Sequence, residues 1–200
     1  TFKIEAKVKE ITRGPTITRY ELEPAPGIKV SRFDALADDL ALALRAHRVR
    51  IVAPIPGKGR VGVELPNKTP IPVVFRELME SKSYAQAKGD LKLAIGKDIA
   101  GDVVVEDLSR MPHLLVAGAT GSGKTVCVKT MIASLLCTHS PSELQCIFVD
   151  PKMVELSIFD DIPHLITPVV TDPKKAAVAL RWLISEMEER YRLFTHLRVR

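Results

Sequence analysis

Eight residues near the middle of the chain, GATGSGKT at positions 118–125, constrain its fold more than any other feature. They match the pattern G-x-x-x-x-G-K-[ST]. The apolar residues 114–117 precede them and predict a short buried strand of a parallel sheet, and residues 126–137 follow with apolar side chains at helical spacing. A strand, a glycine-rich loop and a helix in this order predict a phosphate-binding loop.

The residue types in this loop fit the chemistry of a polyphosphate. Backbone N–H groups at a helix N-terminus bind anions, and Gly118, Gly121 and Gly123 carry no Cβ that would keep phosphate oxygens away from the backbone. The Lys124 ammonium would reach the β- and γ-phosphates, and the Thr125 hydroxyl would bind the Mg²⁺ ion that bridges them. The motif therefore predicts a site for a nucleoside triphosphate, with Thr125 as a metal ligand.

Composition is typical of a soluble globular protein of one or two domains. The 200 residues are 46% hydrophobic and 26% charged, and no apolar run approaches the ~20 residues of a membrane span. Cys127, Cys137 and Cys146 have no metal-binding spacing, which indicates free thiols in a reducing cytoplasm. The net charge of +5 is compatible with a nucleic-acid partner.

The pattern of elements predicts an α/β protein in two parts. Residues 1–90 indicate a small α+β domain with a connecting segment, in which prolines separate short strands around a helix that begins near Asp34. Residues 91–200 alternate strand and helix, which predicts the first part of a nucleotide-binding domain with a parallel sheet. The predicted strands of the first domain are residues 2–8, 16–22, 49–52 and 61–65.

In the second domain, two further strands and a long helix are predicted after the glycine-rich loop. Residues 144–149 indicate a buried strand, and residues 168–170 indicate a short one. Asp172 is the predicted cap of a helix with Pro173 at its first position, which runs to about residue 197.

Asp150 follows the predicted strand 144–149 directly, and two interpretations of it stay open. It lies where ligands bind, at the carboxyl end of a parallel strand, and would then hold the Mg²⁺ ion. Pro151 and Lys152 follow it, however, where a second carboxylate would activate water. We favour a metal-binding aspartate on a segment farther along the chain.

A cluster of basic residues in the first domain also has two interpretations. It forms either a surface that contacts phosphates or another subunit, or a solvated rim neutralised by the nearby Asp38, Asp39 and Glu64. Its members are Arg45, His47, Arg48, Arg50, Lys58 and Arg60.

Beyond these features, the chain resembles the FtsK/SpoIIIE family of bacterial DNA translocases over nearly its whole length. The longest similar stretches include IGKDIAGDVVVEDLSRMPHLLVAGATGSGKT at residues 95–125 and FVDPKMVELSIFDDIPHLITPVVTDPKKAAVALRWLISEMEERY at residues 148–191. Residues 14–44 and 49–67 carry the resemblance in the first domain.

The resemblance implies a truncated RecA-like domain in a motor that pumps double-stranded DNA with ATP and Mg²⁺. It implies a ring of six subunits that acts in chromosome segregation at division or sporulation, with no small-molecule substrate other than ATP. It also implies that the full-length protein is anchored in the inner membrane, while this fragment is cytoplasmic. The residues that match the family's ATP-binding motif are Gly121, Ser122, Gly123, Lys124, Thr125 and Val126.

The family's acidic metal-binding segment, the rest of its sheet and its winged-helix domain are expected beyond residue 200, so no catalytic residue is assigned here. By the same resemblance, Asp150 falls on the family's second strand, which weakens its interpretation as the metal ligand. Two other functions remain open. One is a ring ATPase of the conjugation or secretion type, and the other is a non-catalytic nucleotide-binding module for oligomerisation.

Overall fold

Residues 4–199 are described in a computed structural model, which confirms a mixed α/β architecture. The chain divides into two compact units between Leu114 and Leu115. The predicted first strand includes residues 2 and 3, which lie outside the described residues.

The first unit contains a four-stranded antiparallel sheet with the strand order β1-β2-β4-β3. Two short helices lie between β2 and β3 in the chain, where the sequence predicts a single helix from Asp34. The backbone of Leu36, at φ −99° and ψ 4°, is not helical and separates them. The bounds are β1 Ala6–Arg13, β2 Ile17–Pro24, α1 Ser31–Asp34, α2 Ala37–Ala43, β3 Arg50–Val52 and β4 Val61–Pro66.

A helical pair packs on a two-stranded antiparallel hairpin in the same unit. Leu78, Tyr84 and Ala94 are buried together and form its core. Leu78 and Tyr84 precede the domain boundary predicted between residues 90 and 91, and Ala94 follows it. The predicted boundary itself stays a prediction. The bounds are α3 Phe75–Met79, α4 Lys82–Gln86, β5 Lys92–Lys97 and β6 Val103–Asp107, followed by a 3₁₀ turn at Leu108–Arg110.

The turn between β1 and β2 is bound tightly to its surroundings. The Asn67 side chain donates to the carbonyl oxygens of Gly14 at 2.8 Å and Pro15 at 3.2 Å. It also accepts a hydrogen bond from the Thr18 hydroxyl at 2.7 Å. A Cβ on Gly14 would lie 2.4 Å from the carbonyl oxygen of Ile99, so this close approach requires glycine.

Part of the predicted basic cluster is neutralised by carboxylates on the sheet. Buried Glu21 accepts hydrogen bonds from Lys58 Nζ and Arg60 Nη1, both at 2.9 Å, and the two cations also contact Glu10 at 3.1 Å. The Lys58 hydrogen bond, with a smaller effect from Arg60, holds the pKa of Glu21 below its ordinary value although burial acts in the opposite direction. Lys58 and Arg60 therefore act first as structural counter-ions.

We expect Glu21→Gln to lower the free energy of unfolding of the first unit by about 2 kcal/mol at pH 7, because it removes the charge that binds two cations. The folded-state pKa is depressed, so this stabilisation is present above the ordinary value of 4.5 and is lost as the pH falls through the lower folded-state pKa. Urea denaturation at pH 7 and pH 3 measures both effects. Glu23→Gln is the matched control, since Glu23 is an exposed carboxylate that pairs with Lys9 at 2.8 Å on the same face of the hairpin. An equal loss for Glu21→Gln at both pH values would contradict the assignment.

Up to residue 199, the second unit holds two α-helices and two isolated parallel bridges. The bridges join Cys146 to Leu165 and Val149 to Val170, and only the second links the predicted strands 144–149 and 168–170. Neither segment forms a regular strand, and residues 144–149 are half-buried or exposed, so the prediction of a buried strand there is wrong for this chain by itself. The helices are α5 Lys124–Leu136 and α6 Pro173–Leu197, and a 3₁₀ turn covers Ser157–Phe159.

The strand predicted at residues 114–117 is absent from the described structure. These residues carry no strand assignment, and Leu115 is 91% exposed. A strand requires a hydrogen-bonded neighbour, and no ladder among residues 4–199 includes this segment. The prediction of a buried strand at residues 114–117 is therefore wrong for this chain by itself.

The long helix α6 begins as predicted. The Asp172 carboxylate accepts hydrogen bonds from the N–H groups of Lys174 at 2.6 Å and Lys175 at 3.3 Å, and Pro173 occupies the first turn. Within residues 4–199 no helix combines the length and the apolar character that a membrane crossing requires.

Candidate nucleotide-binding site

The glycine-rich loop adopts backbone angles that favour glycine. Gly121 and Gly123 have φ angles of +79° and +89°, in the left-handed region that other residues avoid. A Cβ on Gly118 would lie 2.3 Å from Ser122 Oγ, so the loop closes on itself at this position. The loop is exposed, and Gly121 and Gly123 leave open space where side chains would stand.

Helix α5 presents its first backbone N–H groups at the end of this loop. Its N-cap is Gly123, which has no side chain to accept from them, and the first hydrogen bond of the helix runs from Cys127 N to Gly123 O at 2.9 Å. The N–H groups of Lys124, Thr125 and Val126 precede that bond, and an α-helix provides no partner for its first donors. Together with the positive end of the helix dipole, they form an anion-binding N-terminus.

Buried side chains hold α5 in place. Met131 and Leu135 lie on its buried face, as predicted, and the Ser134 hydroxyl, also buried, donates to the Met131 carbonyl at 2.7 Å. The helix therefore has a fixed inner face, which positions Lys124 and Thr125 at its outer end.

Lys124 forms an ion pair with Glu155, a residue that the sequence analysis did not identify as part of the site. Its Nζ lies 3.4 Å from Glu155 Oε2, and the two side chains are 37% and 30% exposed. A separation of 31 residues along the chain leaves no periodic signal for such a pair. The fold alone brings them together.

Asp150 organises the segment that carries Glu155. Its Oδ1 accepts from Lys152 N at 3.2 Å, and its Oδ2 accepts from Glu155 N and Leu156 N, each at 2.9 Å. The hydrogen bonds from Leu156 and Glu155 hold the pKa of this buried carboxyl below its usual range. Both oxygens have backbone partners, which supports a structural role for Asp150 over that of metal ligand.

The loop residues fit ATP and Mg²⁺. Exposed N–H groups and the Lys124 ammonium suit a phosphate chain, and the half-buried Thr125 lies in the first turn of α5, where its hydroxyl would complete a metal shell of phosphate and water oxygens. Gly121, Ser122 and Val126 would contribute backbone only. The roles of these residues stay predictions.

A groove of about 1200 Å³ in the first unit is lined by Arg45 and His47 of the basic cluster, together with further charged residues. Glu77 provides the carboxylate in its lining and is paired with Lys97. Its other cations, Arg13, Arg45 and Lys68, give the groove a positive character. His47 also lines it.

A glycine-rich loop, a following helix and a lysine at its first position define a P-loop nucleotide-binding protein. Two family models match the chain: the FtsK alpha domain over residues 1–67 and the FtsK/SpoIIIE family over residues 75–200. The chain belongs to the FtsK/SpoIIIE family.

Curated relatives are similar along the whole chain. It is 56% identical over 200 residues to the DNA translocase FtsK of Clostridium tetani and 49% identical over 199 residues to the DNA translocase SftA of Bacillus subtilis. These alignments include all of this chain but only 27% and 21% of those proteins. The chain thus spans about a quarter of the length of these relatives.

Among solved structures, the fold is similar to that of the pCW3 conjugation coupling protein TcpA, in a monomer form with ATPγS. The TM-score is 0.51 at 20% identity, and the match covers 98% of this chain and 52% of that one. At this identity the likeness concerns the fold.

Proposed function

We propose that this chain is part of an ATP-driven motor that moves double-stranded DNA during chromosome segregation. The observation that carries the proposal is the left-handed glycine loop at the N-terminus of α5, in a chain that belongs to the FtsK/SpoIIIE family. The relatives named DNA translocases support DNA as the partner.

In this motor, the loop and Lys124 would bind the phosphates of ATP, and the Thr125 hydroxyl would hold Mg²⁺. The ion would supply charge neutralisation to the phosphate oxygens during phosphoryl transfer. Lys124 supplies a fixed positive charge to the same oxygens, and the α5 N–H groups orient them without reorganisation. Further residues that complete the site would come from the rest of the full-length protein or from a neighbouring subunit.

We further propose that the motor is a hexameric ring and that its full-length form is anchored in the bacterial inner membrane, with this part on the cytoplasmic side. The positive groove of the first unit is the candidate surface for the DNA backbone, because no ion pair among residues 4–199 involves its Arg13, Arg45 or Lys68, whereas Glu21 compensates Lys58 and Arg60.

ATP turnover by the full-length protein, with and without linear duplex DNA, tests this function. We expect DNA to stimulate turnover about tenfold, which is within the range typical of coupling between two sites. A ring ATPase that moves protein would show no such stimulation. If the 200-residue chain alone matched the full-length protein in DNA-stimulated turnover, the alternative of a non-catalytic module would be excluded for this chain.

A further inference from the structure

The ammonium of Lys124 already has an anionic neighbour in the fold. Glu155 Oε2 lies 3.4 Å from Lys124 Nζ, and both side chains are about two-thirds buried, which shields the pair in part from water. The same ammonium is the group that would bind the β- and γ-phosphates. One donor is therefore shared between a carboxylate of the chain and the ligand.

Glu155 is held in this place by a buried anchor. Its backbone N–H donates to Asp150 Oδ2 at 2.9 Å, beside the N–H of Leu156 at the same distance. Asp150 is buried and accepts a third backbone N–H, from Lys152. These hydrogen bonds fix the backbone at Glu155. The side chain can therefore move away from Lys124 by rotation about its own bonds, without a change in the backbone.

We propose that Glu155 is a competing counter-ion of Lys124, which the triphosphate displaces when it binds, and that Asp150 is the positioning residue that keeps Glu155 within reach. This inference rests on the proposed nucleotide site and deepens it. Glu155 lowers the affinity for nucleotide in two ways: it occupies the ammonium, and its negative charge repels the entering phosphates. A weaker grip on nucleotide favours release, which a motor that turns over repeatedly needs.

The size of the effect follows from the kind of pair. Partly exposed ion pairs at such distances contribute modestly, so we expect the loss of the Glu155 charge to tighten nucleotide binding about threefold. The direction is diagnostic. Replacement of a residue with a merely structural role would leave the affinity unchanged or weaken it.

The experiment measures ATPγS affinity of the full-length protein by calorimetry, once with Mg²⁺ and once with EDTA. Glu155→Gln keeps the shape of the side chain and the backbone hydrogen bond to Asp150 but removes the charge. We expect tighter binding in both conditions, because the competition for Lys124 does not involve the metal. Glu188→Gln is the matched control, since Glu188 pairs with Arg192 at 3.8 Å on α6 and its loss should leave the affinity unchanged.

Each outcome decides a separate point. Absence of ATPγS binding to the unaltered protein would overturn the proposed function itself. Binding by the unaltered protein with equal or weaker affinity in Glu155→Gln would overturn the counter-ion role, and weakening confined to Mg²⁺ would assign Glu155 to the metal instead. Glu155→Asp provides a second variant, whose shorter side chain withdraws the carboxylate from Nζ, and we expect it to bind more tightly than the unaltered protein but less tightly than Glu155→Gln.

Discussion

Replacement of Lys124 by alanine is expected to weaken ATPγS binding about 100-fold, or about 2.7 kcal/mol, and to leave the fold intact. Lys124 is the first residue of α5 and is partly exposed, so its side chain adds little to the packing of the helix. Its ammonium is the positively charged side chain that the loop, residues 118–125, offers to the phosphates. Calorimetry gives the affinity, and circular dichroism reports on the fold.

Lys129→Ala is the matched control for this variant. Lys129 lies on the same helix beyond the glycine-rich loop, and its replacement removes an equal charge without touching the anion-binding N-terminus. We expect it to change the affinity little. Unaltered binding by Lys124→Ala, or an equal loss in both variants, would reject the role given to Lys124.

The affinity of the assembled protein for duplex DNA is expected to fall steeply as salt is added. Each phosphate neutralised by a lysine or arginine releases counter-ions, so the logarithm of the binding constant should fall by about 0.9 per phosphate for each unit in the logarithm of salt concentration. For six to ten such contacts the affinity would drop about 10³- to 10⁵-fold between 50 and 200 mM salt. Fluorescence anisotropy with two DNA duplexes of unrelated sequence measures this slope.

Variants in the first unit locate the phosphate contacts. Arg45→Gln, in the positive groove, should reduce the slope by about one and act equally on both duplexes. Arg76→Gln should not, because Arg76 is paired with Glu80 at 2.9 Å on the surface of α3. A flat salt response would refute phosphate binding as a whole, and an unchanged slope for Arg45→Gln would exclude the groove.

Features with a local cause were predictable from the sequence. The start and end of α6 follow from Asp172, Pro173 and the helical spacing of apolar residues, and the structure confirms them. The glycine-rich loop and the buried face of α5 were predictable for the same reason, since a few neighbouring residues determine each of them.

Features that depend on distant partners were not predictable. Residues 114–117 have the composition of a buried strand but no described neighbour to pair with, and α4 follows Ser81 in a stretch too polar to indicate a helix. The contact between Lys124 and Glu155 and the neutralisation of Lys58 by Glu21 arise from the tertiary fold. The spacing of these residues along the chain does not indicate that they form pairs.

The close approach at Gly14 has a consequence for the spacing of two parts of the first unit. A Cβ at this position in the β1–β2 turn would lie 2.4 Å from the carbonyl oxygen of Ile99 in the β5–β6 turn, and Asn67 binds the same β1–β2 turn at the end of β4. Any side chain at residue 14 would therefore push the two turns apart. The distance between the four-stranded sheet and the hairpin thus depends on a glycine that lies far along the chain from the nucleotide-binding loop.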